Sequence, residues 1–288
     1  MSRQLRPLLL SLLLLCTAAC GAGPTPDPHE GMVQVSDGAG GLIWIRPVEG
    51  LPVNELDPAS FSALPDGRIS YAGDDALALH GIDVSEHQGE IDWKAVAASG
   101  VDFAILRAGY RGWSEGALRE DPFFRQNLQG ARDAGLRIGC YFFSQALNPD
   151  EAREEAQFLL SLLDGIPLEL PVFFDWEETG ADTRTAGASP SAVTDACLAF
   201  CESVREGGYE PGLYLYRRLG YQFYELDRLQ GIPLWVGALG DAPDFYYEHR
   251  FWQYSITGQV PGIAADVDLD LWFIPAPEPI PPSTAPSA

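Results

Sequence analysis

The sequence predicts an α/β fold, an irregular (β/α) TIM-like barrel preceded by a small β-rich extension. Two observations support this prediction. From about residue 81 onward, short apolar segments alternate with longer helical patterns, as is typical of an α/β domain with largely parallel strands. The 288 residues, 46% of them hydrophobic, are also sufficient for the core of one barrel. Because the helical patterns become short late in the chain, we expect the barrel to be irregular.

Short apolar segments bounded by polar or turn residues are predicted to be the strands. They are residues 82–84, 103–107, 138–143, 171–174, 212–216, 234–236, 251–254 and 267–269. The predicted helices are residues 92–99, 121–134, 149–164 and 189–206. Asp121 and Ser189 are expected to be the N-caps of the second and fourth helices, because their side-chain oxygens can accept hydrogen bonds from free backbone N–H groups.

Ahead of the barrel, residues 31–79 are expected to form a small β-rich extension. The apolar segments 32–35 and 42–45 flank a glycine-rich turn, a pattern typical of a β-hairpin. The extension is too short for a large core of its own, so we expect it to pack on the barrel domain at residues 80–274. It could then shape one rim of a binding groove. The proline-rich residues 275–288 are expected to be a disordered tail.

The N-terminal residues have the pattern of a secretory signal. Arg3 and Arg6 precede an apolar run over residues 8–15, which is shorter than the about 20 residues of a spanning helix. The small residues before Cys20 resemble a bacterial lipoprotein box, which predicts a signal peptide over residues 1–19, lipidation of Cys20 and a tether over residues 20–30. We therefore expect lipid anchoring on the periplasmic or cell-surface side of a bacterial membrane. The alternative is ordinary secretion with cleavage near this point.

Charge and cysteine content exclude several function classes. A formal net charge of −23 argues against nucleic acid as a partner, since binding a polyanion needs clustered Lys and Arg. Cys140, Cys197 and Cys201 are an odd number after the leader is removed, and are expected to be buried structural thiols. The four histidines show no paired ligand spacing, so we expect no metal and no cofactor. The chain is expected to act as a monomer.

Several acidic residues lie at predicted strand ends, where barrel enzymes collect their catalytic groups. Asp175 and Glu177 directly follow an apolar strand, and residues two apart in extended backbone face the same side, about 6.5–7 Å apart. Because two nearby carboxylates repel, one tends to keep its proton near neutral pH. A protonated acid beside an ionised one suits glycosidic bond cleavage. A polar loop after a strand would show the same short D-x-E pattern.

Five motifs in order carry a resemblance to a known family. They are GIDVSEHQGEIDW at 81–93, VDFAILRAG at 101–109, AGLRIGCYFFS at 134–144, DWE at 175–177, and FWQYS with VDLD at 251–255 and 267–270. Together they resemble the lysozymes of glycoside hydrolase family 25, and the match covers roughly residues 80–274. Phe142 stands where many members have histidine, but other members have phenylalanine there, so this difference does not indicate inactivation.

The resemblance implies a muramidase that cleaves the β-1,4 bond between N-acetylmuramic acid and N-acetylglucosamine in peptidoglycan, with retention. Glu177 would be the general acid, and Asp175 and Asp83 the other catalytic carboxylates, with Asp175 orienting the N-acetyl group. The nucleophile would be either the N-acetyl oxygen of the substrate or an enzyme carboxylate. Asp268 would close the acidic cluster. The remaining substrate-binding residues implied are Tyr141 and Tyr214.

Trp176 and His87 need separate interpretation. Trp176 is flanked by the candidate acids, so we expect it to face the groove and bind substrate, although strict alternation along the strand would place it in the core. His87 is expected to be a hydrogen-bonding or packing residue rather than a base or a metal ligand. Two other functions stay open: a non-catalytic glycan-binding lipoprotein on the same fold, and a metal-dependent hydrolase, which a chelator would inhibit.

Overall fold

The computed structural model describes residues 27–276. The strands, numbered in chain order, are β1 Val33–Ser36, β2 Leu42–Ile45, β3 Phe61–Ala63, β4 Ile69–Tyr71, β5 Ala76–Val84, β6 Phe103–Arg111, β7 Leu118–Glu120, β8 Arg137–Ser144, β9 Val172–Trp176, β10 Pro211–Tyr216, β11 Leu234–Gly237, β12 Phe251–Gly258 and β13 Val267–Pro275. The helices are α1 Trp93–Ala98, α2 Phe124–Asp133, α3 Pro149–Leu163, α4 Pro190–Glu206 and α5 Arg217–Gln222. Short 3₁₀ turns lie at Pro58–Ser60, Glu86–Gln88 and Leu226–Arg228.

A closed barrel forms the centre of the molecule. Its strands follow one another in the order β5, β6, β8, β9, β10, β11, β12 and β13, and β13 pairs with β5 to close it. The strands from β5 to β12 run parallel, whereas β13 is antiparallel to both of its neighbours. The predicted α/β class is confirmed, and each predicted strand and helix overlaps an observed one. The mixed strand direction and the small number of helices make this barrel different from a regular (β/α) repeat.

One of the two predicted helix caps is confirmed and the other is wrong. The side chain of Ser189 accepts a hydrogen bond from the Ala192 N–H and caps α4. Helix α2 instead begins after Phe123, without a side-chain cap. Asp121 is buried, and its carboxylate accepts hydrogen bonds from Arg107 Nε at 2.8 Å and from the Glu86 N–H at 2.9 Å. Its other oxygen, Oδ1, accepts a hydrogen bond from the Phe123 N–H at 2.9 Å, in the turn that precedes α2.

Large aromatic side chains fill one end of the barrel interior. Alternate residues of a strand point inward, and here they bring together the buried rings of Phe103, Phe173, Trp235 and Phe251. Gly81 makes room for this layer, because a Cβ there would lie 2.1 Å from the Phe103 ring. The apolar layer closes this end and leaves the other end, where the parallel strands terminate, for polar side chains.

The outside of the barrel is covered in two ways. Helices α2, α3 and α4 pack against β6, β8, β9 and β10. The extension packs against β12 and β13: the Phe61 ring lies edge-on to Trp252, with centroids 5.4 Å apart, and near Phe273. The Tyr71 ring also meets Phe273 edge-on at 5.7 Å. The extension therefore contributes to the main hydrophobic core.

The extension is continuous with the barrel. Its predicted hairpin is present as the antiparallel pair β1 and β2. Further along, Val53 forms an antiparallel bridge with Tyr247, and the Asn54 N–H donates to the Tyr246 carbonyl at 2.9 Å. The expected boundary between residues 79 and 80 lies inside the unbroken strand β5.

Some predictions concern residues outside the described part of the chain. The signal peptide over residues 1–19, lipidation of Cys20, most of the tether and nearly all of the proline-rich tail lie there. Within residues 27–276, no helix combines the length and apolar character needed to cross a membrane.

Candidate active site

An open cleft lies where the parallel barrel strands end. Its charged lining residues are Asp83, Arg107, Asp175, Glu177 and Asp268. These come from β5, β6, β9, the segment after β9, and β13, so the barrel brings together side chains that are far apart in sequence. Among the described residues, none from the extension lines the cleft. The possibility that the extension shapes a rim of this cleft is therefore not supported.

Alternation along β9 decides which of its side chains face the cleft. Asp175 lines the cleft and is 4% exposed, and Glu177 follows two residues later, partly exposed. Trp176 lies between them on the opposite face, is fully buried, and packs near the Phe223 ring at 6.1 Å. The expectation that Trp176 faces the groove is wrong, because the strand stays extended through this residue and strict alternation turns the indole into the core.

A glutamine organises the carboxyl groups on the other side of the cleft. Asp83 and Asp268 lie opposite each other in the antiparallel pair of β5 and β13. Gln253 Nε2 donates to Asp83 Oδ2 at 2.7 Å and to Asp268 Oδ2 at 3.2 Å, while Gln253 Oε1 accepts from the Tyr214 hydroxyl at 2.8 Å. Gln253 lies in the FWQYS motif, but the sequence alone predicts no role for it.

Asp270 lies beneath this pair and was not among the predicted site residues. It is fully buried, and its Oδ1 accepts a hydrogen bond from Trp235 Nε1 at 2.8 Å. Its charge raises the pKa of Asp83. Its spacing of two residues from Asp268 was the available signal, because such residues share one face of a strand.

Burial raises the pKa of every carboxyl group in this cluster, and repulsion between neighbouring charges adds to the rise for Asp83, Asp175, Glu177 and Asp270. Burial and then the charge of Asp268 raise the pKa of Glu177 to about 7. Burial, followed by the charges of Asp268 and Asp270, raises the pKa of Asp83 well above its usual value. For Asp175 the causes are burial and then the charge of Glu177. The cluster therefore retains protons near neutral pH, as a site for proton donation requires.

Arg107 lines the cleft, although it is not among the residues predicted from the sequence. Its Nε donates to Asp121 and its Nη2 donates to Glu86 Oε1, both at 2.8 Å, which holds the guanidinium beside the cleft. The positive charge of Arg107 opposes the rise in the pKa of Asp175. Arg107 is the last residue of the predicted strand 103–107, which is otherwise apolar. Its position at the strand end was the available sequence signal for this role.

The structure also places the remaining predicted residues. Tyr141 and Tyr214 line the cleft as expected, each 8% exposed. His87 lies exposed at the rim. Asp175 Oδ1 is buried without a hydrogen-bond partner within the described residues, so it is available to a polar group of a bound substrate.

The described residues contain no cluster of three or more His, Cys, Asp or Glu side chains placed to hold a metal ion. The three expected thiols, Cys140, Cys197 and Cys201, are free and buried, which confirms that part of the prediction. Burial raises the pKa of Cys140 well above its usual value, as expected for a packing thiol.

Comparisons with known proteins agree with this architecture. Residues 82–263 match the profile of the glycosyl hydrolases family 25. The autolytic lysozyme of Clostridium acetobutylicum is 28% identical over 193 residues, 67% of this chain, and this chain spans only 55% of that protein. Lysozyme M1 of Streptomyces globisporus is 27% identical over 271 residues, covering 90% of this chain and 85% of the relative.

A solved structure shows the same fold. The modular autolysin LytC of Streptococcus pneumoniae superposes with a TM-score of 0.59 at 24% sequence identity, covering 77% of this chain and 58% of that protein. LytC has also been solved in complex with a synthetic peptidoglycan ligand.

Proposed function

This chain belongs to glycosyl hydrolases family 25, and we propose that it is a muramidase. In this proposal it hydrolyses the β-1,4 bond between N-acetylmuramic acid and N-acetylglucosamine in peptidoglycan, with retention. The observation that carries the proposal is the position of Glu177, a partly exposed carboxyl group in the cleft with a pKa raised to about 7. A carboxylic acid that keeps its proton near neutral pH can protonate a glycosidic oxygen.

In the first step, Glu177 donates its proton to the glycosidic oxygen as the bond from that oxygen to the muramic acid C1 breaks. The N-acetylglucosamine side leaves with a neutral hydroxyl group. The carbonyl oxygen of the muramic acid N-acetyl group attacks C1 from the opposite face. Asp175 orients this acetamido group by accepting its N–H, and the unpartnered Asp175 Oδ1 supports that role.

In the second step, water attacks C1 from the face that the leaving group vacated. The bond between C1 and the N-acetyl oxygen breaks, and its electron pair returns to the acetamido group. The Glu177 carboxylate takes a proton from this water, which restores the acid and gives a product of retained configuration. Burial raises the pKa of Asp268 only to about 6, so Asp268 is largely ionised at neutral pH. In this proposal Asp268, with Asp83 beside it, stabilises the positive charge that develops at C1 inside a poorly solvated cleft. Tyr141 and Tyr214 bind the sugar at the base of the cleft.

The relatives support this substrate class. The chain matches proteins named lysozyme over 67% and 90% of its length, and the LytC autolysin of the same fold has been solved with a synthetic peptidoglycan ligand. We infer that the protein acts outside the cytoplasm at the cell wall, as a monomer anchored by lipid at Cys20. The tether from Cys20 would let the barrel reach glycan strands near the membrane.

The test uses the protein beginning at residue 24, incubated with purified peptidoglycan, with the new reducing ends identified by mass spectrometry. Reducing ends at N-acetylmuramic acid are expected, and the activity should survive a chelator. Ends at N-acetylglucosamine would contradict the bond assignment. Binding to glycan without any new ends would instead identify a non-catalytic glycan-binding protein.

A further inference from the structure

Gln145 is a buried amide whose hydrogen bonds are directed at the segment that carries Glu177. It follows β8 directly and is fully buried. Its Nε2 donates to the Glu177 carbonyl at 3.1 Å and to the Ser144 carbonyl at 3.0 Å. Its Oε1 accepts hydrogen bonds from the hydroxyl groups of Thr179 and Thr185, each at 3.1 Å. The full donor and acceptor capacity of the amide is therefore used.

The segment held by Gln145 has little regular structure of its own. Between the end of β9 at Trp176 and the start of α4 at Pro190, the chain forms turns without a helix or a strand. Such a segment depends on side-chain hydrogen bonds for a fixed conformation. Gln145 contacts it at its beginning, through Glu177 and Thr179, and near its end, through Thr185.

Arg184, near the end of this segment, binds the main chain of Gln145. Arg184 Nη1 donates to the Gln145 carbonyl at 2.9 Å, and Arg184 Nη2 donates to Glu151 Oε1 at 2.7 Å on helix α3. The side chain and the main chain of Gln145 thus both bind residues of the same segment. Gln145 is therefore hydrogen-bonded to the segment in both directions, as donor and as acceptor.

The end of β8 is itself rigidly held. The Ser144 hydroxyl donates to Glu155 Oε2 at 2.6 Å, and Arg111 Nε donates to Glu155 Oε1 at 2.7 Å. Glu155 is fully buried on α3. A buried ion pair whose remaining oxygen is also hydrogen-bonded fixes the local geometry strongly. Because the end of β8 is fixed in this way, the amide of Gln145 holds the segment in a fixed position relative to the barrel.

We propose that Gln145 is a positioning residue for Glu177: its amide holds the Glu177 main chain so that the carboxyl group points into the cleft at the scissile bond. Gln145 does not line the cleft and has no direct role in the chemistry. The assignment of Glu177 as the acid rests on the proposed function, whereas the ordering of the segment by Gln145 does not. An error of about 1 Å in the position of a catalytic group can cost about 100-fold in rate.

The main test replaces Gln145 by methionine, which keeps the length of the side chain and removes its amide. We expect kcat on soluble glycan strands to fall about 10- to 100-fold, with KM changed less than about 2-fold, since Gln145 lies outside the cleft. Thr185→Val removes one partner and is expected to give a smaller fall in kcat. If Gln145→Met fails to fold, Thr185→Val and Thr179→Val carry the test.

Thr194→Val is the matched control. Thr194 is also fully buried, and its hydroxyl donates to the Pro190 carbonyl and accepts from the Glu225 N–H, but it lies on α4 away from the cleft. It should lower thermal stability while leaving kcat unchanged. A folded Gln145→Met protein with the kcat of the wild type, or a fall in kcat equal to that of Thr194→Val, would overturn the proposal.

Hydrogen exchange separates this inference from the proposed function. Amides of residues 178–187 are expected to exchange faster in Gln145→Met than in the wild type, with no matching change in Thr194→Val. If exchange is faster in Gln145→Met but the wild-type protein does not cleave glycan, the result would support the ordering of the segment by Gln145 and refute the muramidase assignment. Unchanged exchange in this segment would refute the role of Gln145 whatever the activity.

Discussion

Asp83 and Asp268 face each other across the antiparallel pair of β5 and β13, and a single amide nitrogen, Gln253 Nε2, donates to both carboxyl groups. Like charges directly opposite each other destabilise a strand pair. Here the raised pKa of both groups and the shared amide donor reduce that repulsion. The strand pairing that closes the barrel is therefore coupled to the protonation of the site.

Replacing Glu177 by glutamine should remove most of the activity and leave the fold intact. The change is nearly isosteric but removes the proton donor, and general acid catalysis is worth about 100- to 10,000-fold. The control is Glu178→Gln, which alters an exposed neighbour that pairs with Arg218 and should keep near-normal kcat. Activity of Glu177→Gln equal to that of Glu178→Gln would mean that another group supplies the proton.

The rate should fall as pH rises through about 7, because Glu177 must be protonated to act as the acid and its pKa is raised to about 7. The charge of Asp268 is one cause of that rise. Asp268→Asn should therefore move the alkaline limb of the kcat/KM profile to lower pH, measured on whatever activity is left. An alkaline limb that does not move would show that Asp268 does not influence the acid.

Thermal stability should increase as pH is lowered from 8 to 5. Burial is the main cause that raises the folded-state pKa of Glu177 to about 7 and that of Asp268 to about 6, so the folded protein binds these protons more tightly than the unfolded chain. Their contribution is fully present below the ordinary carboxyl pKa and is lost as pH rises through these folded-state pKa values. Scanning calorimetry should show a higher Tm at pH 5 than at pH 8, and a shallower dependence in Glu177→Gln. A Tm that is independent of pH over this range would contradict the assignment of raised pKa values.

Phe61→Ala should destabilise the protein without changing KM. Phe61 packs on Trp252 and near Phe273 on the outer face of the barrel, whereas the cleft lies at the strand ends. We expect a loss of about 1–3 kcal/mol in the free energy of unfolding, measured by urea titration. Trp44→Ala, in the exposed hairpin of the same extension, is the aromatic control and should have a smaller effect. A rise in KM for Phe61→Ala would indicate that the extension contacts substrate.

Cys20→Ser should release the protein from membranes when it is expressed in a bacterial host. The prediction follows from the lipoprotein-like sequence, since an anchor of several acyl chains gives stable membrane attachment. Fractionation with immunodetection, and metabolic labelling with a fatty acid, would measure it. Acyl labelling that persists in Cys20→Ser, or unchanged membrane association, would contradict lipidation at this residue.

The barrel could be predicted from the sequence because its parallel strands are buried on both faces and appear as short apolar runs. The strands β5 and β13 are longer than predicted, since their outer halves, from Ala76 and up to Pro275, pair with each other over a partly exposed surface. The short helix α5 was not predicted, as it has only six residues and no capping side chain.

Only those parts of the site that depend on neighbouring residues in the sequence could be predicted. Strict alternation along the strand at Asp175 predicts that Trp176 is buried, as the structure shows. Its proximity to the candidate acids favoured a position in the groove instead. Gln253 and Gln145 could not be found this way, because their roles depend on partners brought near by folding. Gln253 and Asp83 are 170 residues apart in sequence, yet they form the shortest hydrogen bond of that glutamine.

The reversed direction of β13 has a practical consequence for immobilising the protein. Ala76 and Pro275 pair at the end of the barrel opposite the cleft, so the chain enters and leaves the barrel on the same side. A linker fused after Pro275 and coupled to a bead or sensor surface would orient the open end of the barrel toward the bulk solution. Long, insoluble glycan sheets could then reach the cleft without being blocked by the support.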